Sequence, residues 1–319
     1  MKSIHHLRQG QAPVVRSAVI RWSPSLVFYI SGCLMHLQFS LWLVREHDTV
    51  LGRLSFAQAV PAVVIASAGA LLLWLFWRIP RSPRPRLTVG FWLLWLAAVA
   101  GIDRYLTYSI NEYAHYPQYA MLAWLLARAM DPQRNRWYFG RVLFWATLLG
   151  MGDELLQYLW ITASYSDYLD FNDFVTNLVA AAGGLLLYYG SSGRAPESAR
   201  RRQPVIESVV AVGLAFVIAA AFFAGRVVHT PSSPVPPGGI VLMPDGGARL
   251  SLQRRPDFYG GWQPSKRHDR YHVLAPLSGL LVMLAAGLLF SLFGSTGGPG
   301  PFSLSGSRRS LSSAALPPA

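Results

Sequence analysis

The chain has 319 residues, 52% of them hydrophobic and only 13% charged, with a mean hydropathy of +0.31. Soluble domains carry roughly twice that charged fraction, and 11 Trp, 14 Tyr and 16 Phe give too much apolar surface for a disordered chain, so both classes are excluded. One cysteine, Cys33, excludes a disulfide framework and a cysteine-built zinc site, which leaves a polytopic membrane protein as the class to develop.

The N-tail, 1–24, is basic, and no small-x-small cleavage pattern closes the apolar run behind it, so the sequence predicts a retained signal anchor. Stretches of about 20 apolar residues then predict eight membrane spans. Spans at 25–44 and 57–78 form a two-helix N-terminal extension, 25–87. Spans at 88–106, 112–130, 139–160 and 171–190 form a four-helix core, 88–190. Spans at 205–225 and 272–293 make a C-terminal extension, 205–293, around a long loop at 226–271. In that loop Asp245-Gly246 lies between Ile240-Val241-Leu242 and Leu250-Ser251-Leu252, the pattern of a small β-hairpin. The segment 295–319 is rich in Gly, Ser and Pro without periodicity and is expected to be a disordered tail.

The net charge of +13 could suggest nucleic acid, but its distribution argues for orientation in a bilayer. Lys2, Arg8, Arg16 and Arg21 mark the N-tail; Arg78, Arg81, Arg84 and Arg86 follow span two; Arg128, Arg134, Arg136 and Arg141 follow span four. Arg194, Arg200, Arg201 and Arg202 follow span six, and Arg308 and Arg309 lie in the tail. By the positive-inside rule both termini are cytoplasmic, in the inner membrane, and the partner is the lipid bilayer with no nucleic acid.

The acidic residues are concentrated: eight of the 15 lie within 103–173. Glu112, His115 and Tyr119 share one helical face, as do Asp170, Asp173 and Asn177, while Asp153, Glu154 and Gln157 lie near the end of span five. A charge at the centre of a spanning helix costs about 2.5–3.5 kcal/mol, so several at one depth imply convergence on a polar pocket at the outward face. Asp170 and Glu112 can equally be helix-start caps, and Gln157, Asn177 and Tyr119 ordinary interhelical hydrogen-bonding groups. His36 has no acidic companion and reads as structural.

The segments that carry this constellation resemble the VanZ-like family of integral membrane proteins. Asn111-Glu112-Tyr113-Ala114-His115-Tyr116-Pro117-Gln118-Tyr119 is similar to its charged-x-x-His-x-x-x-Tyr element, and Gly152-Asp153-Glu154-Leu155-Leu156-Gln157 to its Asp-Glu-x-x-Gln element. Asp170-Phe171-Asn172-Asp173-Phe174-Val175-Thr176-Asn177, followed by Gly183-Gly184, resembles the third. The likeness covers 88–190. It departs from the family pattern at Glu112, at Ala180 and in the absence of a basic residue from 161–172, for which Arg104 could substitute.

The resemblance implies a multi-span protein of cell-envelope maintenance or glycopeptide (teicoplanin-type) tolerance, an antibiotic-resistance context without an assigned reaction. The expected ligand is an outer-leaflet amphiphile, a lipid-linked cell-wall precursor or the glycopeptide itself. Arg104, His115 and Gln157 would contact its head-group oxygens, and Glu112, Tyr119, Asp153, Glu154, Asp170, Asp173 and Asn177 would complete the pocket. The alternative is a membrane enzyme acting on a lipid head group. There Glu154, His115 and Asp153 are candidates for acid–base work, and Glu154, His115 and Asp173, with Asp153, for a divalent metal. A proton-coupled transporter ranks third, because spans four to six turn apolar in their inner halves and no inverted repeat is visible.

Overall fold

A computed structural model of the chain describes residues 11–44, 49–50, 54–82, 85–134, 138–190 and 205–295. Apart from Ser295, the expected disordered tail lies outside the described residues, as do the first ten residues of the N-tail and the basic cluster Arg194 to Arg202.

The described residues are mostly helical, as the composition requires, with eight α-helices. They are α1 (Gln11–Val44), α2 (Phe56–Arg78), α3 (Pro85–Tyr105), α4 (His115–Met130) and α5 (Phe139–Leu156). Then come α6 (Phe171–Gly190), α7 (Val205–Phe223) and α8 (Pro276–Ser295). α1 starts at Gln11, within the segment that the sequence assigns to a tail. Its Pro24 has no N–H for the Ile20 carbonyl, and the Ser23 hydroxyl donates to that oxygen at 3.3 Å instead.

Three helices, α3, α7 and the Pro276–Gly294 part of α8, are long and apolar enough to cross a membrane by length and composition. Large apolar side chains face outward elsewhere too, with Phe223 at 94% and Phe76 at 84% exposure, which fits a lipid surround and not water. These are the features of a membrane protein.

α6 is the centre of the bundle, packed on α3, α4, α5 and α8, with almost every side chain buried. Its small residues allow this. A Cβ on Gly183 would meet Trp95 Nε1 at 2.6 Å, and one on Gly184 would collide with the Ala120 carbonyl of α4. Trp95 also donates from Nε1 to the Val179 carbonyl at 2.8 Å, which uses the polar atom of an otherwise apolar contact.

Short strands β1 (Thr49–Val50) and β2 (Leu54–Ser55) pair antiparallel between α1 and α2. The segment 226–271 is an ordered cap containing β3 (Val227–Val228), β4 (Ile240–Leu242), β5 (Ala248–Ser251), β6 (Trp262–Pro264) and β7 (Arg270–His272). β4 and β5 form the expected hairpin with Ile240 opposite Leu250 and Leu242 opposite Ala248. Gly246 sits at φ 76°, which its lack of a Cβ permits, and Asp245 Oδ1 accepts from the Gly247 amide at 2.9 Å. β3 joins β5 in parallel, and β6 pairs with β7. α8 begins at Pro276, because 270–272 belongs to β7 and not to the apolar run expected from 272.

The cap lies on one end of the bundle. The Leu169 amide donates to the Leu252 carbonyl at 2.8 Å, the Arg254 amide to the Asp167 carbonyl at 2.7 Å, and the buried Tyr158 hydroxyl to the Ser251 carbonyl at 2.7 Å. At its far side the Lys266 amide donates to the Tyr108 carbonyl at 2.8 Å. The Arg267 guanidinium there reaches Tyr113 Oη at 2.9 Å and Asp103 at 3.4 Å, and Tyr113 in turn donates to Asp103.

Candidate functional site

The capped end gathers the start of α4, the end of α5 and the start of α6. α5 runs into a π-helical turn, Gln157–Ile161, which keeps Gln157 on the inward face beside Glu154. α6 starts behind Asp170, whose Oδ1 accepts from the Asn172 amide at 2.8 Å, a local turn that serves as a helix cap.

Between the helix ends and the cap lies a cavity of about 490 Å³. Glu154, Gln157, Asp170 and Asp173 line it from the helices, and Tyr158, Thr162, Tyr165, Asp167 and Tyr168 from the α5–α6 connection. The cap supplies Phe258, Gln263, Pro264 and Tyr271, and Tyr108 joins them from the segment after α3. The hydroxyls of Tyr168 and Tyr271 meet at 2.8 Å and close one wall. Four carboxylates line this cavity and no Lys or Arg does, among the described residues.

Behind Glu154 and Asp173 lies a fully buried layer. Asn177 spans it: Nδ2 donates to Glu154 Oε1 at 2.8 Å, and Oδ1 is 2.8 Å from His115 Nδ1. An ionised carboxylate only accepts, so it turns the amide nitrogen of Asn177 to Glu154 and its oxygen to the histidine. With Glu154 ionised, the His115 proton then sits on Nδ1. His115 Nε2 faces Asp173 Oδ1 at 3.8 Å, and the His115 ring stacks nearly parallel on Tyr119, centroids 5.9 Å apart.

Asp153 is separate. Adjacent residues on a helix point about 100° apart, and Asp153 turns from the cavity to accept from Tyr119 Oη at 2.5 Å and from Gln118 Nε2 at 3.4 Å. It links α5 to α4. Glu112 is also drawn away: in the 3-10 turn Ile110–Ala114 both its carboxylate oxygens accept from the Tyr108 amide at 3.0 Å, and one from Ser109 at 3.1 Å. That is the capping role weighed from the sequence.

Arg104 is not brought to this place. It is exposed in the last turn of α3, its guanidinium 6.0 Å from the Tyr105 ring, and does not line the cavity. The cations near the cap come from the cap itself, with Arg254 at 3.7 Å from Asp167 and Arg267 on Asp103. His115, Glu154 and Asp173 do converge, with one potential ligand atom from each within 4.8 Å of the others.

Burial pushes the Asp170 carboxyl up to about 8, with the Asp173 carboxylate adding to the effect and the Asn172 amide opposing it. Burial also raises the Tyr168 phenol, so the Tyr168–Tyr271 contact is between two neutral hydroxyls at ordinary pH.

Several residues of the site had no sequence signal. Asn172 is filler within the third motif, yet it holds three backbone groups: Nδ2 donates to Leu106 O at 2.9 Å and His272 O at 2.8 Å, and Oδ1 accepts from Leu274 N at 3.0 Å. The cap residues of the cavity are similarly silent, because their role depends on contacts across about 100 residues of chain.

Comparison with known proteins finds no matching family model, curated protein or solved structure.

Proposed function

We propose that the chain is an eight-span, VanZ-like protein of the cytoplasmic membrane, with both termini inside. Its capped acidic cavity opens to the outer face and binds the head group of an outer-leaflet amphiphile in envelope maintenance or glycopeptide tolerance. The observation that carries this reading is the cavity of about 490 Å³, roofed by 226–271, at one end of a bundle with an apolar outer surface. That size accommodates a head group or a small polar molecule, within the range of about 300–1,000 Å³ usual for ligand sites. Orientation is supported by Arg78, Arg128 and Arg141, which lie at helix ends away from the cap.

Asp167 is paired with Arg254 and Asp170 keeps its proton up to about 8, while Glu154 and Asp173 face the cavity without a Lys or Arg partner among the described residues, so the wall favours a head group that brings an amine or hydroxyls, or an anion that arrives with a counter-cation. Arg104 has no part in this version of the contact, and Gln157 supplies the amide donor.

The functional test is the teicoplanin growth threshold of a sensitive host expressing wild type, Glu154→Gln or His115→Ala at matched membrane levels. A raised threshold with wild type, lost in both variants, is the expected result. An unchanged threshold with wild type removes glycopeptide tolerance from the reading.

A further inference from the structure

We propose that His115 Nε2, Glu154 and Asp173 form a site for one divalent cation of the Mg²⁺ or Mn²⁺ kind in the floor of the cavity. The site goes beyond head-group binding and does not depend on which amphiphile enters.

Four observations point to it. One imidazole nitrogen and one oxygen from each carboxylate lie within 4.8 Å of one another, and the Nε2 to Asp173 distance is 3.8 Å. On bonds of about 2.1 Å, neighbouring octahedral ligands are about 3 Å apart and opposite ones about 4 Å, so the three side chains would draw together by about 1 Å to enclose an ion.

The protonation pattern is that of a ligating histidine. With Glu154 ionised, as a cation ligand must be, Asn177 accepts from Nδ1–H and leaves the Nε2 lone pair toward Asp173. A lone pair facing an ionised carboxylate is repulsive, and a cation or a proton between the two relieves it. Metal-bound imidazoles are oriented in the same way, by an acceptor on the other ring nitrogen.

Charge balance gives the third argument. Glu154 and Asp173 have no Lys or Arg partner among the described residues; a buried carboxyl is paired, coordinates a metal or holds a proton, and a cation here would take the proton's place. The fourth is Gln157, only 6% exposed, on the cavity floor, with an Nε2 that makes no hydrogen bond; Asp173 Oδ1 makes none either. An amide donor beside the cation would hold a water or ligand oxygen bound to it.

Two carboxylates with one imidazole form a hard, oxygen-rich set that suits Mg²⁺ or Mn²⁺ above Zn²⁺. Asp153 stays outside the set, engaged by Tyr119 and Gln118.

The test is an electron paramagnetic resonance titration of Mn²⁺ into the purified full-length chain in detergent. The expected result is one saturable Mn²⁺ per chain, displaced by excess Mg²⁺, with nitrogen modulation from one imidazole. Glu154→Gln and Asp173→Asn should each weaken binding at least tenfold, whereas Asp245→Asn in the exposed hairpin turn leaves it unchanged. The imidazole signature is read on wild type, so it holds even where a variant fails to fold. Absence of saturable Mn²⁺, bound Mn²⁺ without nitrogen coupling, or undiminished binding in a folded Glu154→Gln would overturn the site. None of these outcomes bears on the growth-threshold test.

Discussion

Asn172 Nδ2 donates to the His272 carbonyl at 2.8 Å, a bond that ties the start of the central helix α6 to the last strand of the cap. The same side chain serves Leu106 O and Leu274 N, so one buried amide joins the end of α3, the start of α6 and the approach to α8. The cap over the cavity is therefore part of the bundle's hydrogen bonding.

Replacing Asn172 by Ala leaves three backbone groups without this partner. An unsatisfied buried group costs about 1–3 kcal/mol, so a loss of roughly 2–4 kcal/mol is expected, allowing for relaxation. Thermal unfolding in detergent should show a clear drop in Tm, and limited proteolysis should cut first within 226–271. An unchanged Tm would show that the cap is not held there.

The latch at the other side of the cap should behave differently. Arg267 and Asp103 are both partly exposed, and such pairs contribute about 0–1 kcal/mol. Arg267→Ala is expected to leave Tm nearly unchanged while hydrogen exchange speeds up around 265–270. A large Tm loss would mean that the pair is shielded more than its exposure indicates.

Gly184 tests the packing of the core. With the Ala120 carbonyl against the place a Cβ would occupy, Gly184→Ala must push α4 from α6, and overpacking of this kind costs about 1–3 kcal/mol. Since α4 carries His115 and α6 carries Asp173, the His115–Asp173 distance should change as well. Gly213 on α7, with open space around it, provides the contrast: Gly213→Ala should be neutral or slightly stabilising in melts of the same preparation.

The pH dependence follows from Asp170. Its carboxyl, held up to about 8 in the folded chain, titrates near ~3.9 when unfolded. The folded state therefore binds the extra proton between those values. The contribution is fully present below the unfolded value and is lost as pH rises through about 8. In chelator-containing buffer, Tm should fall from pH 5 to pH 9, and Asp170→Asn, which keeps an acceptor for the Asn172 amide, should flatten that fall. An equal slope in the variant would assign the titration to other groups.

Helix positions were legible because each apolar run is long, and the hairpin because Asp245-Gly246 is a turn signal in its own right. The meeting of His115, Glu154 and Asp173 was legible for a related reason: three carboxylate-bearing helix ends at one depth have few other ways to satisfy themselves. Helical periodicity did not separate Asp153 from Glu154, since which of two adjacent acids faces the cavity depends on how α5 is rotated against α4 and α6. Glu112 carried the signal of a site residue, yet the amides of Tyr108 and Ser109 took its carboxylate. Arg104 carries the charge that 161–172 lacks, but its position in the last turn of α3 turns it outward. Asn172, Tyr158 and the cap residues act through partners distant in the chain, which no local pattern records.

The central claim is that an amphiphile head group enters the capped cavity. Its most direct test places the photo-crosslinking amino acid p-benzoylphenylalanine at Tyr165, on the cavity wall, or at Trp160, exposed on the π turn outside it. After irradiation of intact membranes, adducts are identified by mass spectrometry. The account predicts one amphiphile class enriched at Tyr165 over Trp160, with the enrichment lost in Glu154→Gln. The same bulk-lipid mixture at both positions, unaffected by Glu154→Gln, would contradict it.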